Sequence, residues 1–557
     1  MEFFKKINKN IFVFLGGAVV ILWQMLGPGY ILTLDMVFVP RMKLIFSDTS
    51  FYNTLPLHYL LKFFDLFFDG WIIQKILFIV LFFCIGYLAF KFLPVPKNYY
   101  VPYWASLFYT VNPFIYERFL AGHWHFLFAY ALLPPFIFFL FKFVQKLKWQ
   151  NMAWLLASII LIGVFSLHLL TMAILILVSY LTYQIIKNLI AKKKDQVKKL
   201  LQFSFILCLG LLILSSYWLI PYLFNKKSSI LNVFTSENIQ LFKTASDSRL
   251  NTEINVLALY GFWQEDQPWA HYWLWPKDNF TFWVIVASLL FVIIIIGLIY
   301  GLRHKKYRKQ AGYFLILGLI TLIFSIGLAE TIFKNLNQWL FDNLFFWRGF
   351  RDTNKFSAFL VLSYAYLGGL GVYAIIKKIK DKKILSHIVL LLLFLVPLFY
   401  TYPMLGGFAR QLQPVWYPAS WHQVNQILNK DNNNFKVLFL PWHQYFSLGF
   451  NNSLLTANPA NIFFTKEIIS SENMELGQIS DKKSPVKYQE IEDLISNESQ
   501  FKETEIMQIL QKENINYIIL AKDMIGNDVF NYKFLESDFL HVIFTSPEID
   551  LYQIQDF

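Results

Sequence analysis

The sequence predicts an α-helical polytopic membrane protein of about eleven transmembrane helices, with a small α/β extracytoplasmic domain at its C-terminal end. Three observations carry that prediction: the scarcity of charge, long apolar runs confined to residues 1–403, and basic clusters in alternate connections between those runs. Of 557 residues, 56% are hydrophobic and only 15% are charged, against about 25% charged in an ordinary soluble domain. The net charge of +13 does not point to nucleic acid, because Lys and Arg stand in short clusters beside apolar runs. Cys84 and Cys208 both fall inside such runs, which leaves no disulfide framework and no CxxC metal or redox pair.

Crossing the hydrocarbon core takes roughly 20 helical residues. Runs of that kind lie near 11–29, 71–93, 100–115, 126–145, 151–168, 169–190, 201–224, 281–301, 311–329, 356–377 and 384–403. The first follows the basic stretch KKINKN and has no small-residue cleavage site, so it reads as a retained helix. Pro113 cuts the third run and Pro134-Pro135 interrupts the fourth, which predicts kinks. Ser166 and His168 separate the fifth from the sixth and predict a tight helical hairpin. Lysines precede the first run, and basic segments follow the second, fourth, sixth (AKKKDQVKK), eighth (RHKKYRK) and tenth (KKIKDKK). The positive-inside rule places all of them, with the N-terminus, in the cytoplasm. An odd number of spans then puts residues 404–557 on the outer face.

The outer connections are long: about 30–70, 225–280 and 330–355. Long ordered loops cost conformational entropy and tend to carry function. LPLHYLLKFFDLFFD and NLNQWLFDNLFFWRGF have the helical apolar spacing of segments lying in the membrane interface. In GPGYILTLDMVFVPR the glycines and proline stop the first span, and Asp35 follows at the membrane surface. A carboxylate there is paired with Arg41 or simply hydrated in the headgroup zone, or it has a task. NPFIYERFLAGHWHFLFAY places Glu117, Arg118, His123 and His125 between two kinked apolar stretches. Glu117 either moves a proton or pairs with Arg118. The two histidines, spaced by two, fit neither a helix face nor HExxH, so they read as polar cavity lining and no metal set is assigned. FFWRGFRDTNKFSAF supplies Arg348, Arg351 and Lys355, which would share one face of a helix. Such cations either anchor lipid headgroups or bind a specific phosphate.

These pieces together resemble the GT-C superfamily of polytopic membrane glycosyltransferases, in particular YfhO-like and arabinofuranosyltransferase-like prokaryotic members. The resemblance rests on GYILTLDMVFVPR after the first span, the interfacial helix in the loop, the FR-x3-KF element from Phe350 to Phe356, and the outer C-terminal domain. It implies transfer of a sugar from a polyprenyl-phosphate donor to a glycan, lipid or protein acceptor among membrane lipids at the outer face. It also implies that Asp35 is the catalytic carboxylate, with Asp48 as a possible second, and that Arg348, Arg351 and Lys355 bind the donor phosphate. The family's usual adjacent acidic pair is absent, since Met36 follows Asp35. A divalent metal is therefore left open and no other cofactor is implied. A leaving polyprenyl phosphate is already activated, so the protein has mainly to neutralise phosphate and deprotonate a hydroxyl.

Trp263, Trp269, Trp273 and Trp275 suit an interfacial belt more than sugar stacking. Past Gln413 the sequence turns soluble in character. YPASWHQVNQILNKD predicts a helix, KVLFL a buried strand, EIMQILQKENINYIILAKD a helix and strand, and HVIFTSPEIDLYQIQ a terminal hairpin. No Gly-rich phosphate loop or GxSxG marks a second enzyme there. Two rival readings are a lipid or polysaccharide transporter or flippase, and a non-catalytic scaffold. The spans carry few charges and show no clear internal repeat, which tells against the transporter.

Overall fold

The computed structural model describes residues 9–43, 52–98, 100–224, 238–247, 249–265, 270–272, 277–452, 454–471, 475–476, 479–480, 488–496, 501–524 and 532–555. Among them, nine helices are long and apolar enough to cross a membrane. They include Gly70–Phe92, Leu167–Ile190, Phe280–Arg303, Arg308–Ile326 and Lys383–Tyr400, all near their expected positions. This is a multi-pass membrane protein.

Three elements differ from expectation, each for a local reason. The run near 100–115 forms a helix of only 10 residues, Val101–Thr110, which spans about 15 Å, half a bilayer core. Asn112 ends it and caps the next short helix, Pro113–Leu120, accepting from the Ile115 amide at 3.1 Å. Asn followed by Pro at the first helical position is a start signal that no apolar run can override. The fifth run, Trp149–Phe165, has 17 residues and stops at Ser166, whose hydroxyl caps Leu167–Ile190. Lys194–Phe224 begins a turn and a half or more before its expected start, because Lys, Asp and Gln of the basic cluster join the helix. The kink at Pro134-Pro135 is present as a break at Leu132.

The chain divides into two compact units. The first comprises residues 1–24, 47–60 and 76–411, and the second 25–46, 61–75 and 412–557. In the first unit, the most buried span runs through Ser357–Ile379. It meets Phe280–Arg303 through glycines: a Cβ on Gly297 would lie 1.8 Å from the Leu367 carbonyl oxygen, and one on Gly371 1.9 Å from that of Ile293. Small residues let helix backbones approach this closely. Gly371→Ala must therefore push two backbones apart and is expected to cost about 1–3 kcal/mol. Thermal melting in detergent, with Gly16→Ala as a control that meets nothing within 4 Å, would show it. An undiminished melting temperature for Gly371→Ala would contradict this packing.

In the second unit, the strands include β1 (Lys436–Leu440), β2 (Tyr445–Ser447), β3 (Leu455–Ala457), β4 (Glu467–Ile469), β5 (Ile515–Ala521), β6 (Leu540–Thr545) and β7 (Ile549–Ile554). A five-stranded sheet has the order β4-β1-β5-β7-β6, with β1 parallel to β4 and β5, and β7 antiparallel to β5 and β6. Leu438, Leu440, Ile506, Leu510 and Ile518 fill its core. The helices Ala419–Lys430 and Glu503–Lys512 and the terminal hairpin all form as the apolar spacing predicts. β2 and β3 form a separate hairpin.

The segment after the first span also belongs to this unit. Tyr30 and Val415 exchange two backbone hydrogen bonds of 2.7 and 2.8 Å. The Gln74 amide clamps both backbone groups of Ile31, and the Tyr417 hydroxyl donates to the Phe38 carbonyl at 2.9 Å. These are single bridges between irregular segments, without a period that a sequence could display. Leu55–Phe64 lies within the expected interfacial segment and leaves Tyr59, Leu60, Phe63 and Phe64 exposed, as a headgroup-level helix requires.

Candidate functional site

In the membrane unit, the short helix Pro113–Leu120 is buried on every side and delivers two ionisable groups, Glu117 and Arg118, into the interior. A buried guanidinium needs a partner. Arg118 finds it 234 residues away in Asp352, through a paired contact of Nη1 with Oδ2 and a 3.0 Å bond from Nη2 to Oδ1. Nη2 also donates to Asn354 Oδ1 at 2.6 Å, Nη1 lies 3.4 Å from His123 Nδ1, and the guanidinium covers the Phe262 ring at 4.6 Å. Burial by itself would push the Asp352 carboxyl up, but Arg118 and then Lys355 hold it well below the usual carboxylate range.

Lys355 Nζ lies 3.9 Å from Asp352 Oδ2 and 3.3 Å from His168 Nε2, which itself sits 2.8 Å from the Gly349 carbonyl oxygen. With a proton on Nε2 the imidazole donates to that carbonyl; with the proton on Nδ1 it accepts from the lysine. Arg351 stacks on Phe242, 5.1 Å from the ring centroid. The three cations do not share a helix face. Phe345–Phe350 and Thr353–Phe356 are separate 3₁₀ turns with a bend at Arg351 and Asp352 between them. The tighter winding, together with the bend, cancels the three-and-four spacing argument for that segment.

Glu117 is fully buried. Its carboxyl is raised well above the usual range, first by burial and then by the Glu265 carboxylate, with Arg118 only partly offsetting them. Glu265 is held in place: it accepts from the backbone amides of Gly261 and Phe262 and, at 3.0 Å, from Asn255 Nδ2. Gly261 has φ of +110°, a conformation that lets the backbone wrap the carboxylate. Because the Glu117 carboxyl is raised, its contribution to stability is complete below the ordinary glutamate value of about 4.3 and is lost as pH climbs through the folded value. Glu117→Gln fixes the neutral form. Its melting temperature is expected to fall less than the parent's as pH is raised from about 5 to about 9; a steeper fall in a detergent melting series would contradict this.

In the second unit, Asp35 is exposed on a tight turn whose ends, Thr33 and Met36, exchange backbone hydrogen bonds. Leu34 adopts φ of +37°, an uncommon conformation for a side chain of its kind that needs support from neighbours. Support comes from the β2–β3 hairpin: Leu34 donates to the Leu455 carbonyl at 2.7 Å and accepts from the Ala457 amide at 2.8 Å. The Tyr445 hydroxyl donates to Asp35 Oδ1 at 2.8 Å. The carboxylate is thus aimed by a strained turn and a phenol, while remaining open to solvent. Arg41 does not take part; it reaches the Asp65 carbonyl and Asp69.

Of the expected site residues, the structure brings Arg118, His123 and Lys355 together around Asp352 and places Glu117 beside Glu265. His125 turns elsewhere, stacked on Trp124 and edge-on to His58. Asp48 lies outside the described residues, as do Trp269, Trp273 and Trp275; Trp263 packs on Phe242 and Phe262. Among the described residues, no group of three or more His, Cys, Asp or Glu is placed to hold a metal ion. Sequence reasoning missed Asp352, Asn354, Glu265 and His168. Asp352 stands inside the FRDTNKF element, and the demand of a buried Arg118 for an anion was the one signal that could have found it.

The apolar spans, short buried helices and mixed α/β unit define a polytopic membrane fold. Among the solved structures it resembles is arabinofuranosyltransferase AftD from Mycobacteria, whose likeness covers 99% of this chain at a TM-score of 0.64 and 12% identity. Two classes of a mutant AftD match at TM-scores of 0.62 and 0.60, again at 12% identity. At that identity the likeness is one of fold. This chain covers only 40–42% of the AftD chains. No protein-family model matches the sequence, and no curated protein matches it.

Proposed function

We propose that this protein transfers a sugar from a polyprenyl-phosphate donor to a hydroxyl acceptor at the outer face of the cytoplasmic membrane. The observation that carries this reading is the likeness of nearly the whole chain to an arabinofuranosyltransferase. The acceptor oxygen attacks the anomeric carbon, the bond from that carbon to the phosphate oxygen breaks, and polyprenyl phosphate leaves with the electron pair. Asp35, open to solvent and oriented by Tyr445, takes the proton of the acceptor hydroxyl; Asp48 is a second candidate carboxylate. Arg348, Arg351 and Lys355 neutralise the leaving phosphate, as guanidinium and ammonium groups do at close range. Asp352 orients Lys355 and Arg118, and so acts as a positioning residue. Glu117 lies buried beside Glu265, its carboxyl raised above the usual range by that burial.

The test is transfer of a radiolabelled sugar from polyprenyl phosphate by purified protein in lipid vesicles. Arg351→Gln is expected to raise the KM for the lipid donor by roughly tenfold, the worth of one charge-assisted contact of about 1.5 kcal/mol. An unchanged donor KM would remove Arg351 from the phosphate site. Labelled sugar that crosses the bilayer without forming a new glycosidic bond would favour a flippase instead.

A further inference from the structure

Within the membrane unit, the helices Leu133–Gln145, Leu167–Ile190 and Arg308–Ile326 leave a cavity of about 1370 Å³. Pockets for small molecules measure roughly 300–1,000 Å³, so this one has lipid dimensions. Its composition is polarised along the helices. Met172, Ile176, Ile316, Ile320 and Phe324 make the wall at one end apolar. At the other end stand five cations, Lys187, Lys193, Lys199, Arg308 and Lys309, all exposed. This is the end that the positive-inside rule assigns to the cytoplasm. Solvated topology lysines need no cavity beneath them; these five rim one.

Between the two zones, Phe141, Tyr180 and Tyr313 meet edge-on or tilted, with centroids 5.1–5.5 Å apart. The Tyr313 hydroxyl is buried and has no hydrogen-bond partner among the described residues. It stands four and five residues beyond Lys309 and Arg308, about 6–7.5 Å along the helix axis. A buried hydroxyl without a partner is costly unless a ligand supplies one. An ester carbonyl lying below a phosphate headgroup supplies an acceptor at that depth.

We propose that this cavity holds an anionic glycerophospholipid of the cytoplasmic leaflet. Its phosphate lies among Lys187, Arg308 and Lys309, an ester carbonyl accepts from Tyr313, and its acyl chains fill the apolar zone. Basic pockets between spans on the cytoplasmic side recognise such headgroups. The far, apolar end of the cavity reaches Trp347 and Phe356, beside the cations of the proposed transfer site, whereas the headgroup assigned here lies at the opposite, basic end and does not depend on that chemistry.

The test uses the full-length protein in a neutral detergent, titrated with phosphatidylglycerol or phosphatidylcholine and read by thermal shift and by native mass spectrometry. Phosphatidylglycerol is expected to bind at one lipid per chain and raise the melting temperature more than phosphatidylcholine. The triple variant K187Q/R308Q/K309Q is expected to bind it on the order of 100-fold more weakly. The control triple K378Q/K380Q/K382Q, from another connection, is expected to bind like the parent. Tyr313→Phe is expected to weaken both lipids alike, because the ester is common to them. Equal response to the two lipids, equal loss in both triple variants, or preference for polyprenyl phosphate over phosphatidylglycerol would each overturn the assignment.

Discussion

Asp35→Asn is expected to lower the turnover of sugar transfer by about 10²–10⁴-fold, the usual worth of a positioned general base. The melting temperature and the donor KM should hardly move. The side chain is exposed, so the amide costs no desolvation, and its oxygen can still accept from the Tyr445 hydroxyl that now meets Asp35 at 2.8 Å. The loss would then be chemical, since an amide cannot take the acceptor's proton. Tyr445→Phe provides the graded companion. It keeps the carboxylate but removes its orienting bond, and a loss of roughly 2–10-fold corresponds to one ordinary hydrogen bond. Assays that separate kcat from KM would distinguish the two variants.

Arg118→Met should be the most destabilising single change in the buried cluster, at about 3–5 kcal/mol. It strands the Asp352 carboxylate in the interior with Lys355 at 3.9 Å as its nearest cation. The double variant Arg118→Met/Asp352→Leu removes both charges and should recover most of the loss, because a buried pair replaced by apolar groups is often neutral. A double variant no better than the single would contradict the pairing. The pH dependence has a definite sign. Asp352 is depressed, so its contribution is present above the ordinary aspartate value of about 3.9 and is lost only as pH falls through its folded value. Mild acid should therefore leave the cluster intact while relieving the buried Glu117, and the two carboxylates respond oppositely to the same titration.

Most of the spans were legible because an apolar run of about twenty residues seldom forms anything but a membrane helix. The stretch 100–120 was not, since apolar content there reflects burial inside the protein as well as membrane, and only the Asn112-Pro113 pair separates the two. The sheet of the second unit could be read from its helix and strand periods. The attachment of residues 25–46 to that unit could not, because it is made by isolated bridges such as Tyr30 with Val415. In the candidate site, the residue types were visible and their partners were not. Arg118 and Asp352 are 234 positions apart, and the supposed helix carrying Arg348, Arg351 and Lys355 is two 3₁₀ turns. Asp35 was found for its place after a helix stop. Its strained turn and its phenol partner came from the hairpin β2–β3.

The central claim is sugar transfer from a lipid phosphate by a carboxylate at position 35. The most direct measurement reconstitutes the full chain in vesicles with a radiolabelled polyprenyl-phosphate sugar and follows release of polyprenyl phosphate with and without acceptor. The account predicts acceptor-dependent release by the parent protein and a loss of about 10²-fold or more in Asp35→Asn, at unchanged melting temperature. Full activity in Asp35→Asn, or no release by a folded parent protein with any lipid-linked sugar, would contradict it.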